Sequence, residues 1–141
     1  MDELVEWLDD QVHVDLQAAD AAKHKFDGGE ARGEWREDPE HPGRIVDGFG
    51  TTIVAEGVAS KEQTAHIEAW DPERARGESA VKAQLVKAAH LAWLEWQDAR
   101  RTKPMEEWAV VEARWSAWWS ALRRMALMYA DRPGYREEWR P

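Results

Sequence analysis

The sequence predicts an α+β fold that is mostly helical, with a long antiparallel helical hairpin, an N-terminal helix and a small antiparallel β element. Three observations predict it. From Pro72 onward Val81, Leu85, Ala88, Ala92 and Trp96 recur at spacings of three and four, one face of a long amphipathic helix. A second such stretch follows Pro104 after only a short break, and short connections favour antiparallel neighbours. Between these helices and the N-terminus lie two β-branched runs, Arg44-Ile45-Val46-Asp47 and Thr51-Thr52-Ile53-Val54-Ala55, separated by Gly48-Phe49-Gly50. Three residues with glycines at both ends suit a hairpin loop. The whole chain, residues 1–141, is expected to form one domain, since a chain of this length can bury one core without staples.

Each element has a local reason. Residues 1–25 are expected to be helical because Leu4, Leu8, Val12, Leu16 and Ala19 or Ala22 lie near one face, and Gly28-Gly29 and Gly33 interrupt the pattern beyond. Residues 34–57 form the β element. A lone hairpin is marginal, so either its apolar face lies on the helices or Trp35 adds a third strand ended by Asp38-Pro39. Residues 61–70 read as a short helix that must stop at Asp71, because the following Pro72 disfavours helical geometry there. Pro72 fits the first position of a new helix, and Asp71 can accept hydrogen bonds from its free first-turn amides. The hairpin arms are 72–100 and 104–129. On the second arm Trp108, Val111, Trp115, Leu122, Met125 and Tyr129 form a seam that Trp118 and Trp119 widen. Residues 131–141 make a polar tail carrying Tyr135 and Trp139, which is expected to be pinned to the body because a free tail gains nothing from aromatics.

Composition narrows the function. The formal charge is −9, with nine acids against two lysines in residues 1–30 and eight basic against six acidic residues in 101–141. Such a field repels phosphates, so nucleic acid is a poor partner and a basic protein surface a better one, although acidity also serves solubility. Arg114, Arg123, Arg124, Arg132, Arg136 and Arg140 lie among Trp115, Trp118, Trp119 and Trp139, which superficially resembles a stacking surface for single strands. Glu112, Glu137 and Glu138 interrupt that patch, and pairing with the acidic first helix, in the same or a second copy, is the simpler use. The alternative is a solvated face. With no cysteine there is neither a disulfide nor a thiolate metal site. No apolar run approaches eighteen residues and no secretory leader opens the chain, so a cytoplasmic protein without a membrane span is expected.

Catalytic patterns are sparse. His13, His24, His41, His66 and His90 include no H-E-x-x-H pair, so a zinc site needs distant segments to converge: His66, His90 and a carboxylate such as Asp71 or Glu68. Ser60, Ser79, Ser116 and Ser120 lack the nucleophile-elbow context, and Gly48-Phe49-Gly50 lacks the rest of a phosphate loop. Helical carboxylate neighbours such as Glu95 and Asp98 have proximity but no pocket. No cofactor is expected.

The segment His66-Ile67-Glu68-Ala69-Trp70-Asp71-Pro72-Glu73-Arg74 and the ending from Tyr129 to Pro141 resemble the two signatures of a family of small acidic proteins of actinobacteria and their phages, a family of unknown function. Leu4, Trp7 and Leu8, and a short Trp-containing β segment, are similar too. The family usually carries a histidine before the tail proline, where this chain has Arg132 before Pro133, so a metal role for that position does not transfer. A looser likeness to early-region phage proteins, in which a strand pair leads through Asn/Asp-Pro into a long helix, implies the same setting. The expected function is a non-enzymatic interaction or regulatory factor that binds a protein partner or itself. Trp7, Trp118 and Trp119 are candidate interface anchors, since large aromatics often anchor interfaces. The alternative is a small metal-dependent enzyme using His66, Asp71 and His90.

Overall fold

A computed structural model describes residues 2–22, 34–50 and 52–141. Among these residues four helices and a three-stranded antiparallel sheet follow in the order α1 (Asp2–Ala21), β1 (Trp35–Glu37), β2 (Ile45–Asp47), β3 (Ile53–Ala55), α2 (Lys61–Ala69), α3 (Pro72–Thr102) and α4 (Met105–Ala126). Short 3-10 turns close the chain at Leu127–Tyr129 and Glu137–Trp139. The α+β class holds. Residues 23–25 of the expected first helix, the glycines at 28, 29 and 33, and Thr51 lie outside the described residues. The chain forms two compact units, one made of Met1–Val12 with Val81–Pro141 and the other of His13–Ala80.

In the unit His13–Ala80 the sheet order is β1-β2-β3, with Trp35 opposite Asp47 and Glu37 opposite Ile45. Trp35 thus does begin a third strand. The β2–β3 register shifts between Ile45 and Val46, a bulge that leaves Val46 facing Ile53. The central strand is buried on both faces at Ile45, Val46 and Asp47. Asp47 does more than its short side chain announced. Its N–H donates to the Thr52 carbonyl at 3.0 Å, its carbonyl accepts the Gly50 N–H at 2.8 Å, and its Oδ1 accepts the Thr52 N–H at 3.3 Å. The carboxylate therefore closes the Gly48-Phe49-Gly50 loop from inside. Glu68 on α2 accepts the β1 backbone N–H of Glu37 at 2.6 Å and fastens helix to sheet. Ser60 caps α2 by accepting the Gln63 N–H at 3.2 Å, while Gln63 reaches back to accept the Ala59 N–H at 3.1 Å. At the joint Trp70 donates to the Ile67 carbonyl at 3.1 Å, and the Asp71 Oδ1 accepts the Arg74 N–H at 2.7 Å. The Asp-Pro pair therefore ends one helix and caps the next.

In the unit Met1–Val12 with Val81–Pro141, Leu4, Val5, Leu8 and Val12 of α1 are buried, together with Val86, Ala89, Ala92 and Ala99 of α3 and Val111, Trp115, Leu122 and Ala126 of α4. Contacts across the hairpin climb one arm as they descend the other. Arg114 pairs with Glu95, and the Arg100 guanidinium lies over both Trp96, at 4.8 Å, and Trp108, at 5.9 Å. The arms are therefore antiparallel.

Three expectations are corrected. The buried face of α3 is not the one through Val81 and Leu85, which are 56% and 42% exposed; it is rotated onto Val86 and Ala89, and Ala92 alone belongs to both sets of buried positions. Pro104 does not open α4 but caps it from an extended conformation (φ −63°, ψ 158°), its carbonyl accepting the Glu107 N–H at 3.0 Å. The last arm is α-helical only to Ala126, beyond which the chain tightens into the 3-10 turn Leu127–Tyr129.

Candidate functional site

The C-terminal tail is built into the helical unit by aromatics. Tyr129 and Trp139 are buried, and Trp7 from α1 sits among them. Its ring centroid is 6.3 Å from Tyr129, 5.9 Å from Tyr135 and 5.1 Å from Trp139. Its indole N–H donates to the Pro133 carbonyl at 3.0 Å. Gly134 follows with φ +87°, and a Cβ there would stand 2.8 Å from the Trp7 Nε1. Cations ring the cluster. Arg132 and Lys82 lie over the Tyr129 ring at 4.7 and 5.4 Å, and Arg136 over Trp139 at 5.6 Å. Arg136 also pairs with Glu3 at 2.7 Å, and Arg123 donates to the carbonyls of Trp139 and Arg140. The basic C-terminal segment thus meets the acidic first helix within one chain, though it binds backbone carbonyls as well as carboxylates. Glu137 is held below the usual carboxylate range by its hydrogen bonds from Arg140, whose own guanidinium is raised in turn.

The same unit carries a groove of about 530 Å³ lined by Val5, Glu6 and Asp9 of α1 and Ala83, Val86, Lys87 and His90 of α3. Its floor is aliphatic and its rim charged, the acids on the α1 wall and Lys87 with His90 on the other. Such a shape receives an apolar side chain and orients it by its charged neighbours. In the other unit a hollow of about 510 Å³ lies beside Gly57, Val58 and Ile67, with Glu56, Glu62, Gln63 and His66 around it. Glu62 there is kept low by its own backbone N–H and by Ser60, which makes it a cap carboxylate rather than a proton donor.

Exposed apolar side chains are unevenly distributed. Among the described residues Val81, Leu85, Leu91, Leu94, Met105, Val110, Leu127 and Met128 belong to the helical unit, against Val14, Ile53 and Trp70 in the other. Val110 is 75% and Met105 70% exposed. Neither was singled out from the sequence. The available signal was the Val110-Val111 pair: adjacent helical residues point about 100° apart, so they cannot both enter one seam.

Of the three expected anchors, Trp7 is half-buried with its N–H and ring engaged by the tail. Trp118 and Trp119 are half-buried on the flanks of the α4 seam, Trp119 with its ring 6.0 Å from Trp115. His66 lies beside Trp70 at 6.2 Å, Asp71 is occupied as the α3 cap, and His90 lies beside Trp93 at 5.7 Å on the rim of the groove. Among the described residues no three His, Asp or Glu side chains are grouped to hold a metal ion, and no helix is long and apolar enough to cross a membrane.

The chain belongs to the family described as a family of unknown function, DUF6221, whose model matches residues 1–141. No curated protein and no solved structure matches it.

Proposed function

We propose that this family member works by binding protein rather than by chemistry, as a cytoplasmic interaction or regulatory factor of an actinobacterium or of a phage that infects one. One observation carries the reading: among the described residues, eight of the eleven large exposed apolar side chains lie in the helical unit, on α3, α4 and the turn after it. Scattered single apolar residues need no explanation, whereas eight on one helical pair and the turn after it supply the material for a contact surface. The groove beside Val5 and Val86, with Glu6 and Asp9 on one wall and Lys87 on the other, adds a place for an apolar side chain of a partner. In this reading Trp7 fixes the tail, while Trp118, Trp119, Met105, Val110 and Met128 are the residues a partner covers. The setting rests on the resemblance of the Asp71-Pro72 joint and the Tyr129–Pro141 ending to proteins from those sources.

Hydroxyl-radical footprinting tests this directly, because methionine sulfur is readily oxidised and Met105 and Met128 are 70% and 59% exposed. A trace of isotopically labelled chain is oxidised alone and in lysate from a phage-infected actinobacterial culture. Several-fold protection of both methionines in lysate is expected. Equal oxidation in the two conditions would remove the support for an interaction surface.

A further inference from the structure

The outward side of α4 has an order that solvation alone does not require. In alternating steps of four and three, it presents Glu106, Val110, Ala113, Ala117, Ser120 and Arg124, and the next step is Leu127 in the 3-10 turn. All are exposed except the half-buried Ser120. The steps keep to one stripe of the helix, on the side away from the buried Val111, Trp115, Leu122 and Ala126, with small residues at its centre and opposite charges at its ends.

We propose that this face docks a second copy of the chain, α4 against α4, antiparallel across a two-fold axis level with Trp115. The inference rests on the interaction reading above and names a partner for the part of that surface around Val110. In that register Ala113 meets Ala117 of the second copy, Val110 meets Ser120, and Glu106 meets Arg124, each layer being repeated by symmetry. The charges choose the direction. A parallel pair would set Glu106 against Glu106 and Arg124 against Arg124, whereas the antiparallel pair joins opposite charges at both ends. Alanines at the centre let the helix axes approach to about 8 Å. Arg114, which flanks the axis and would oppose its own copy, is already paired with Glu95 of α3. A patch that complements itself under a two-fold rotation is what an isologous dimer requires, and no other partner is needed to explain its order. The helix is about 33 Å long at 1.5 Å per residue, so one helix pair covers less than a standard interface. The dimer is therefore weak and exchanging.

Sedimentation velocity of the full chain from about one to a few hundred micromolar reads the outcome. The wild-type mass should rise from 16.3 kDa toward twice that value. Glu106→Arg and Arg124→Glu should each weaken association by about tenfold, and the double variant should restore it, because the charges are exchanged rather than lost. Circular dichroism checks that each variant keeps its helices. The chain has no cysteine, so Ala113→Cys mixed with Ala117→Cys gives a clean disulfide test, with the mixed dimer expected to form fastest. A dimer indifferent to both charge reversals, or faster cross-linking of either variant with itself, would overturn this register. A monomer at every concentration would overturn the self-pairing. If Met105 and Met128 are still protected in lysate, the interaction reading stands without it; if they are not, both fall.

Discussion

Gly134→Ala should destabilise the helical unit, and the structure divides the loss into two parts. The first is backbone strain. Gly134 has φ +87°, where an L side chain costs about 1–2 kcal/mol. The second is steric. The new Cβ would stand 2.8 Å from Trp7 Nε1 and 3.1 Å from its Cδ1, so the indole must shift. That ring is not the loose end of a flexible chain: it is packed against Tyr129, Tyr135 and Trp139 and donates to the Pro133 carbonyl. Losing the hydrogen bond costs about 1 kcal/mol, and disturbing the aromatic pairs a similar amount again. The total is about 3 kcal/mol, which lowers a urea midpoint by about 1.5 M if the slope is near 2 kcal/mol/M. A double-mutant cycle with Trp7→Ala separates the parts, because alanine removes both ring atoms that the Cβ meets. In that background Gly134→Ala should cost only the strain, leaving a coupling of about 1–2 kcal/mol. Gly57→Ala supplies the reference for strain alone, since Gly57 has φ +76° and nothing within 4 Å. Zero coupling between positions 7 and 134, measured by urea unfolding at 222 nm, would refute the account of Trp7 as the residue that pins the tail.

Local geometry sets three further outcomes. Gly77→Ala should stabilise α3 by about 1 kcal/mol, because the position is helical and a Cβ there meets nothing within 4 Å; thermal unfolding checks the sign. Ser60→Ala removes the acceptor for the Gln63 N–H and should cost about 1 kcal/mol, read as faster amide exchange in the first turn of α2. Asp38 is held below the usual carboxylate range first by the Glu40 N–H and then by His41 and Arg44, so its contribution is present above the ordinary carboxylate pKa and is lost as pH falls through the lowered one. The part of the Glu40 amide shift that follows Asp38 should therefore move only below the ordinary carboxylate range, a transition that Asp38→Asn should abolish.

Breaks in the chain were more legible than faces. Asp71-Pro72 announced its boundary because proline restricts two residues at once and aspartate caps the helix beyond it, effects that need no tertiary partner. Gly48-Phe49-Gly50 announced a turn for the same reason, and a third strand at Trp35 was one of two ways to steady a hairpin, its register on β2 being set only in the fold. The buried face of α3 was not legible. Its apolar residues fall on overlapping stripes, one through Val81, Leu85 and Ala88 and one through Val86, Ala89 and Trp93, and both satisfy helical spacing. Packing decided for the second, and it is filled mainly by alanine and valine because small residues let helices come close. Leu91 and Leu94 were left outside although they are larger. Asp47 was passed over as a strand-end acid because a carboxylate inside a turn looks the same in sequence as one in solvent.

The abundance of tryptophan pointed in a direction that the geometry turns aside. Ten indoles in 141 residues suggest an aromatic contact surface, yet Trp115 and Trp139 are buried, Trp7 is held by the tail, and Trp96 and Trp108 sit under Arg100. The reason lies in the core of the helical unit. Its α3 side offers mostly alanine, so wide side chains from α4, α1 and the tail must fill the remaining volume, and tryptophan fills the most per residue. Once indoles are placed inward for that purpose, the aliphatic residues between them must face out, as Val110 does beside Val111 and Met128 beside Tyr129. Part of the exposed surface is aliphatic because Trp115, Tyr129 and Trp139 take core positions beside the buried leucines and valines. Replacing Trp115 should therefore unfold the unit first, whereas replacing Val110 should leave the fold intact and alter only what binds to it.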